Sequence, residues 1–351
     1  MPASPDSLGP FALRASLHET IWGGRRLAEL AGKDLPDGAR IGESWETELS
    51  CEVVTPPHAG ETLGALVAAY GPALLGSRAV AIYGLRFPLL AKFLDAHDRL
   101  SVQAHPDDAY AAAHEGGKLG KTEAWYILAA GPGAQIVYGM AREESRAALA
   151  AAIAANALEP LLNTVQVSAG DVVFVPAGTV HAIGAGVALY ELQEYSDVTY
   201  RLYDYGRLQP NGQPRELHVE RALDVISYAP PLTITVAPRS LPAQPGAPER
   251  RTLVACRYFV EQELRLDGVF QAPPMPTSCR VLTARRGAAE VVAEGFAPLR
   301  MGFGETVVLP ASLGAVTLRG DATLICSYVP EADDPALLDW RAAHAGLFPE
   351  S

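Results

Sequence analysis

Short apolar runs recur along the chain, each framed by glycine and proline. Ala134–Tyr138, Val172–Val175, Ala188–Leu192, Val281–Thr283, Thr306–Leu309 and Thr323–Tyr328 follow this pattern and predict buried strands. Three longer stretches predict helices. Residues 62–75 form one, broken near Pro72. Residues 142–158 are alanine-rich, with Glu143 and Glu144 expected in the first turn. Asp107–His114 follows Pro106 as a short third. The 32 glycines and 28 prolines fit a barrel or sandwich with helical insertions better than a helical protein.

The pattern also repeats. Gly170-Asp-Val-Val-Phe-Val-Pro176-Ala aligns with Gly304-Glu-Thr-Val-Val-Leu-Pro310-Ala, which maps His181 onto Ala315. Each copy is a glycine turn, a buried strand and a proline turn. The expectation is two related β-units, only one of which carries a histidine after the turn. Residues 230–250 hold prolines at 230, 231, 238, 242, 245 and 248, an extended connector. The expected organisation is a first unit over 1–230, a connector over 231–250, a second unit over 251–330 and a tail over 331–351, with a helix near Pro335–Ala343.

Charge and cysteine content narrow the function. The 351 residues carry a formal net charge of −12. That argues against nucleic acid or an anionic membrane surface as partner, while leaving room for a local basic pocket. No run of about 18 apolar residues occurs, so no membrane span is expected. The opening Met-Pro-Ala-Ser-Pro-Asp has neither a basic start nor an apolar core, so no secretory signal is expected. Cys51, Cys256, Cys279 and Cys326 are scattered without a CxxC pair and are read as reduced thiols of a cytoplasmic protein.

The candidate chemistry starts at Gly170-x5-Pro176-x-Gly178-x2-His181. The turns fix where His181 begins the next strand, and a rigidly held imidazole is a good metal ligand. Upstream, Gln103 and His105 stand at i and i+2 of an extended segment and face the same way. Glu123 follows where the chain becomes extended again. Gln103, His105, Glu123 and His181 together offer two imidazole nitrogens and two oxygens, a set suited to a catalytic divalent ion with an open position. Gly116-Gly-Lys-Leu-Gly-Lys-Thr122 imitates a phosphate loop, but that loop needs glycine where Glu115 stands.

The histidine box resembles the second signature of the cupin superfamily, although Ala185 replaces the asparagine expected four residues on. Further runs are similar to type I mannose-6-phosphate isomerases in their shorter bacterial form. They are Trp22-Gly-Gly24, Gly42-Glu-Ser-Trp-Glu46, Phe87-Pro-Leu-Leu-Ala-Lys92, Val102-Gln-Ala-His-Pro-Asp-Asp108, Lys121-Thr-Glu-Ala-Trp-Tyr126, Pro176-Ala-Gly-Thr-Val-His-Ala182 and Tyr190-Glu-Leu-Gln193 running on to Asp204. Cys256-Arg-Tyr-Phe-Val260 and Ser327-Tyr-Val-Pro330 continue the likeness, which runs in order from about residue 11 to 330. Two positions depart from it: Ala104 replaces the usual valine, and Gly120 stands where longer members carry a histidine.

The resemblance implies a mainly β fold of two cupin-like jelly-roll barrels with helical insertions. It implies one zinc ion per chain on Gln103, His105, Glu123 and His181, and an essential arginine at Arg201. It implies a sugar phosphate as substrate, interconverted between aldose and ketose through a cis-enediol. Glu191 is the favoured base and Lys121 a proton relay or substrate contact; Asp197, Arg207 and Glu46 complete the expected pocket, with Arg207 on the phosphate. For Trp22 and Trp45, core packing is the expectation. A monomer or homodimer is expected. A sugar-binding cupin without catalysis and an iron-dependent cupin oxygenase stand as the alternatives.

Overall fold

The computed structural model describes residues 8–209, 211–241 and 247–346. The fold is mainly β with helical insertions. Three sheets carry it: one of nine strands, one of seven and one of five. The seven- and five-stranded sheets face each other and enclose a core of Trp22, Leu94, Trp125, Ile136, Tyr138, Val173 and Leu189. The nine-stranded sheet lies against the other face of the seven-stranded one. There Tyr126 Oη donates to Glu263 at 3.4 Å, and Tyr190 Oη lies 3.3 Å from Thr283 Oγ1.

The repeat extends well beyond its two turns. Val172–Val175, Glu123–Ala130, Val187–Glu194 and Leu89–Ala96 are consecutive neighbours in one sheet. Thr306–Leu309, Arg280–Ala293, Val316–Tyr328 and Val260–Ala272 are consecutive neighbours in the other. Register matches position by position: Val175, Glu123, Gln193 and Leu90 form a row. Leu309, Arg280, Tyr328 and Val260 form its counterpart.

Val172–Val175 and Thr306–Leu309 are strands at the expected bounds. Val281–Thr283 and Thr323–Tyr328 are the buried parts of the longer strands Arg280–Ala293 and Val316–Tyr328, whose outer halves alternate with solvent. The helix Leu63–Leu75 is kinked at Gly71, one residue before Pro72, and Asp108–His114 and Pro335–Ala343 are helical as expected. The alanine-rich helix is shorter than expected and spans Arg146–Ala154. Ser145 caps it by accepting from Ala148 N at 3.2 Å, so Glu143 and Glu144 precede the helix.

Long-range pairings also draw the ends of the chain together. Phe11–Arg14 pairs with Thr306–Leu309, and so joins the nine-stranded sheet. Within the proline-rich stretch, Thr235–Val236 pairs with Val172–Val175 and Arg239–Ser240 with Glu249–Ala255; its residues 242–246 lie outside the described residues. No single helix among the described residues is long and apolar enough to cross a membrane.

Candidate metal centre and active site

His105, Glu123 and His181 converge between the seven- and five-stranded sheets, all deeply buried, with their ligand atoms within 4.8 Å of one another. Each is fixed by its local chain. Glu123 opens the strand Glu123–Ala130, and the segment before it presses on the start of the helix Asp108–His114. A Cβ at Gly120 would lie 2.5 Å from the Asp107 backbone, so this glycine serves packing and cradles no phosphate. Gly178, at φ +82°, donates its N–H to His105 O at 2.8 Å and ties the turn before His181 to the other histidine.

The histidine hydrogen bonds set which nitrogen is free. His105 Nδ1 lies 2.8 Å from Val198 O, and His181 Nδ1 lies 2.8 Å from Thr179 O. A carbonyl only accepts, so each Nδ1 carries the proton and each Nε2 presents a lone pair to the centre. Burial lowers the pKa of both rings, that of His105 to about 3 with help from Lys121, which keeps the rings neutral. Burial pushes Glu123 up, but the Lys121 ammonium above all holds it well below the usual carboxylate range.

These groups fit a divalent cation. His181 Nε2 is buried with no hydrogen-bond partner among the described residues, and Glu123 Oε1 meets the Lys121 ammonium and the His105 ring. Lys121 Nζ stands 2.7 Å from Glu123 Oε1 and 3.3 Å from His105 Nε2. Two lone pairs and an anionic oxygen that converge in a dry site ask for a positive centre. Gln103 lies directly opposite His181 across one strand pair and opposite Arg201 across the next. Tyr138, His181, Gln103 and Arg201 thus form one row and share a face.

A second layer of buried charge continues from the centre. The Trp125 indole Nε1 donates to Glu123 Oε2 and Glu191 Oε2, both at 3.1 Å. Lys92 Nζ lies 3.2 Å from Glu191 Oε1 and 3.6 Å from Glu43 Oε2, and 4.5 Å above the Trp45 ring. Trp45 Nε1 in turn donates to Glu43 at 2.6 Å. Burial and then Glu123 raise the pKa of Glu191; Lys92 and Lys121 oppose them. Burial works against the Lys92 cation, but Glu191 and Glu43 outweigh it.

The remaining expected residues lie apart from this layer. Arg201 is half-buried, with Nε donating to Ser101 Oγ at 3.2 Å and Nη1 to Glu216 O at 2.8 Å. Arg207 Nη2 binds Asp204 at 2.5 Å. Asp197 is exposed and pairs with Lys118 at 2.7 Å. Glu46 does not join the cluster. Strand alternation points Glu43 and Trp45 to the centre, while Glu46 turns to the opposite face and meets Lys33, Ser44 and Thr306. Sequence reasoning passed over Lys92, Glu43 and Trp125 as site residues. The signal for Lys92 was available: a lysine inside the wholly buried run Leu89–Ala96 needs an anionic partner.

A family model for the type I phosphomannose isomerase catalytic domain matches residues 11–124. The chain is 37% identical over 327 residues to the mannose-6-phosphate isomerase of Streptococcus mutans, covering 92% of this chain and 99% of that protein. Its structure superposes on the crystal structure of the Bacillus subtilis mannose 6-phosphate isomerase with a TM-score of 0.81, at 32% identity, covering 91% of this chain and 99% of that one. A point mutant of the Salmonella typhimurium phosphomannose isomerase shares the fold at a TM-score of 0.72 and 18% identity, covering 92% of this chain and 100% of that one. With likeness at this level running over nearly the whole chain, and with a buried His–Glu–His centre at the core of the matching fold, the chain belongs to the type I phosphomannose isomerase family.

Proposed function

We propose that this chain interconverts mannose 6-phosphate and fructose 6-phosphate by moving a proton between C1 and C2 through a cis-enediol. The observation that carries the reading is the convergence of the unpartnered His181 Nε2 with Glu123 and His105 between the two sheets. Gln103, His105, Glu123 and His181 would hold zinc, which when bound supplies a Lewis acid that polarises the sugar oxygens.

The reaction needs a base beside the carbon acid and a fixed charge for the enediolate. Glu191 suits the first role. It is buried, and Trp125 and Lys92 orient its two oxygens. Its raised pKa brings its proton affinity closer to neutrality, where a base exchanges protons efficiently. Arg201 suits the second, since a guanidinium stays charged through the cycle. Lys121, beside Glu123 and His105, relays a proton or holds a sugar hydroxyl. Arg207 contacts the phosphate, while Asp197 and Glu46 act outside the reacting groups. Residues 1–230 serve as the catalytic unit and 251–330 as a scaffold without a metal. The four buried free thiols support a reducing, cytoplasmic setting.

The test pairs metal analysis of the purified chain with a coupled assay on both sugar phosphates. Zinc near one equivalent, with turnover in both directions, is the expected result. A fully metal-loaded chain that binds either sugar phosphate without turnover overturns the reading.

A further inference from the structure

Three arginines converge at one rim of the site. Asp204, at the end of the strand Tyr200–Tyr203, is buried and takes two guanidinium groups at once. Arg207 donates from Nε at 3.2 Å and Nη2 at 2.5 Å. Arg215, which returns from the far side of the loop, donates from Nε at 2.8 Å and Nη2 at 2.5 Å. Both arginine side chains are more than four-fifths buried. The third is Arg201, whose Nη1 binds the carbonyl of Glu216, the residue after Arg215. Burial and then the charge of Arg215 push the Arg201 pKa down, which places the two cations within electrostatic reach.

One buried carboxylate does not balance three guanidinium groups. Asp98 approaches Arg207 to 3.7 Å and Glu216 acts on Arg201, but the first is half exposed and the second mostly exposed, so water screens both. Among the described residues, neither Nη1 of Arg215 nor Nη2 of Arg201 donates a hydrogen bond. A chain of net charge −12 thus gathers positive charge and free N–H donors at one corner, an arrangement that suits a dianion. Arg201 stands two strands from His181 in the shared row, roughly 10 Å at ordinary strand spacing. A hexose 6-phosphate has its reacting carbons at one end and its phosphate at the other.

We infer that Arg215 binds the phosphate of the substrate, with Asp204 as the positioning residue that locks Arg215 and Arg207 together beside Arg201. This rests on the isomerase reading. It assigns Arg215 to the discrimination between a phosphorylated hexose and a free one, and Asp204 to the geometry of that discrimination.

Inorganic phosphate is the probe, read both as a competitive inhibitor and by direct calorimetric titration of the metal-loaded chain. Arg215→Met should raise KM for the sugar phosphate and weaken phosphate binding by at least about tenfold each, while kcat changes little. Arg215→Lys keeps the charge without the fork and should fall between Arg215→Met and the parent chain. It also serves if Arg215→Met fails to fold. Arg265→Met, at an exposed ion pair in the second unit, should leave all three quantities unchanged. If the parent chain turns over and both Arg215 variants keep its KM and phosphate affinity, the assignment falls and the isomerase reading stands. If the parent chain does not turn over but loses phosphate binding on Arg215→Met, the anion corner stands and the isomerase reading falls.

Discussion

The two repeated sheets share strand order and register but carry different chemistry. In the first, the row Lys92, Glu191, Trp125 and Val173 places an ammonium, a carboxylate and an indole donor against the His105–Glu123–His181 cluster. In the second, the equivalent row is Gln262, Cys326, Leu282 and Val307, and Arg280 stands where Glu123 would. The backbone ladder is the same in both. Lys92, Glu191 and Trp125 are therefore an addition to a ladder that the second copy forms without them. The buried acids show the same contrast. Glu123 has a lysine and two imidazoles around it, whereas neither oxygen of the fully buried Glu261 has a hydrogen-bond partner among the described residues.

The largest effect that would sharpen this comparison is at the metal row. His181→Ala should lose bound metal and at least about a thousandfold in turnover, read by metal analysis and the coupled assay. Retained activity would mean that the centre is not where the chemistry happens. Next come the equivalent positions Glu191 and Cys326. Glu191→Gln should lower kcat by about 10²–10⁴-fold with metal content intact, while Cys326→Val leaves kcat unchanged. Arg201→Ala should likewise keep the metal and lose about a hundredfold or more in turnover, and full activity there would remove its assigned role.

A smaller effect separates the two acids by pH. Burial raises the pKa of Glu261 to about 8 from an ordinary value of 4.5. The folded chain holds this proton more tightly than the unfolded one, so the stabilisation is present below pH 4.5 and is lost as pH rises to 8. Glu261→Gln should stabilise the protein at pH 8 by on the order of a few kcal/mol, and the gain should vanish near pH 4.5, as measured by urea unfolding. Smallest is the cap of the inserted helix. Thr62 accepts from Ala65 N at 3.1 Å, and Thr62→Ala should cost about 1 kcal/mol in the same assay without changing KM.

Local framing made much of this legible. Glycine and proline bracket Val172–Val175 and Thr306–Leu309, and both strands end where those residues end them. His105, Glu123 and His181 could be picked out because rigid turns or short strands hold each one. The alanine pattern overstates the length of its helix because Glu143 and Glu144 suit a first turn, yet the Ser145 side chain takes the cap. Arg215 gave no local signal; its place depends on a loop returning to Asp204. The partner of Phe11–Arg14 was equally hidden, since a strand's partner across most of the chain is set by tertiary packing rather than by its own alternation.

That last pairing bears on synthesis and engineering. Phe11 meets Val308, so the strand Phe11–Arg14 waits for residue 308 to be made before this ladder can close. Until then it is an open edge that invites a neighbour. A truncation before residue 306 would leave that edge permanently bare, and the shortened chain should be poorly soluble even though His105, Glu123 and His181 are all present.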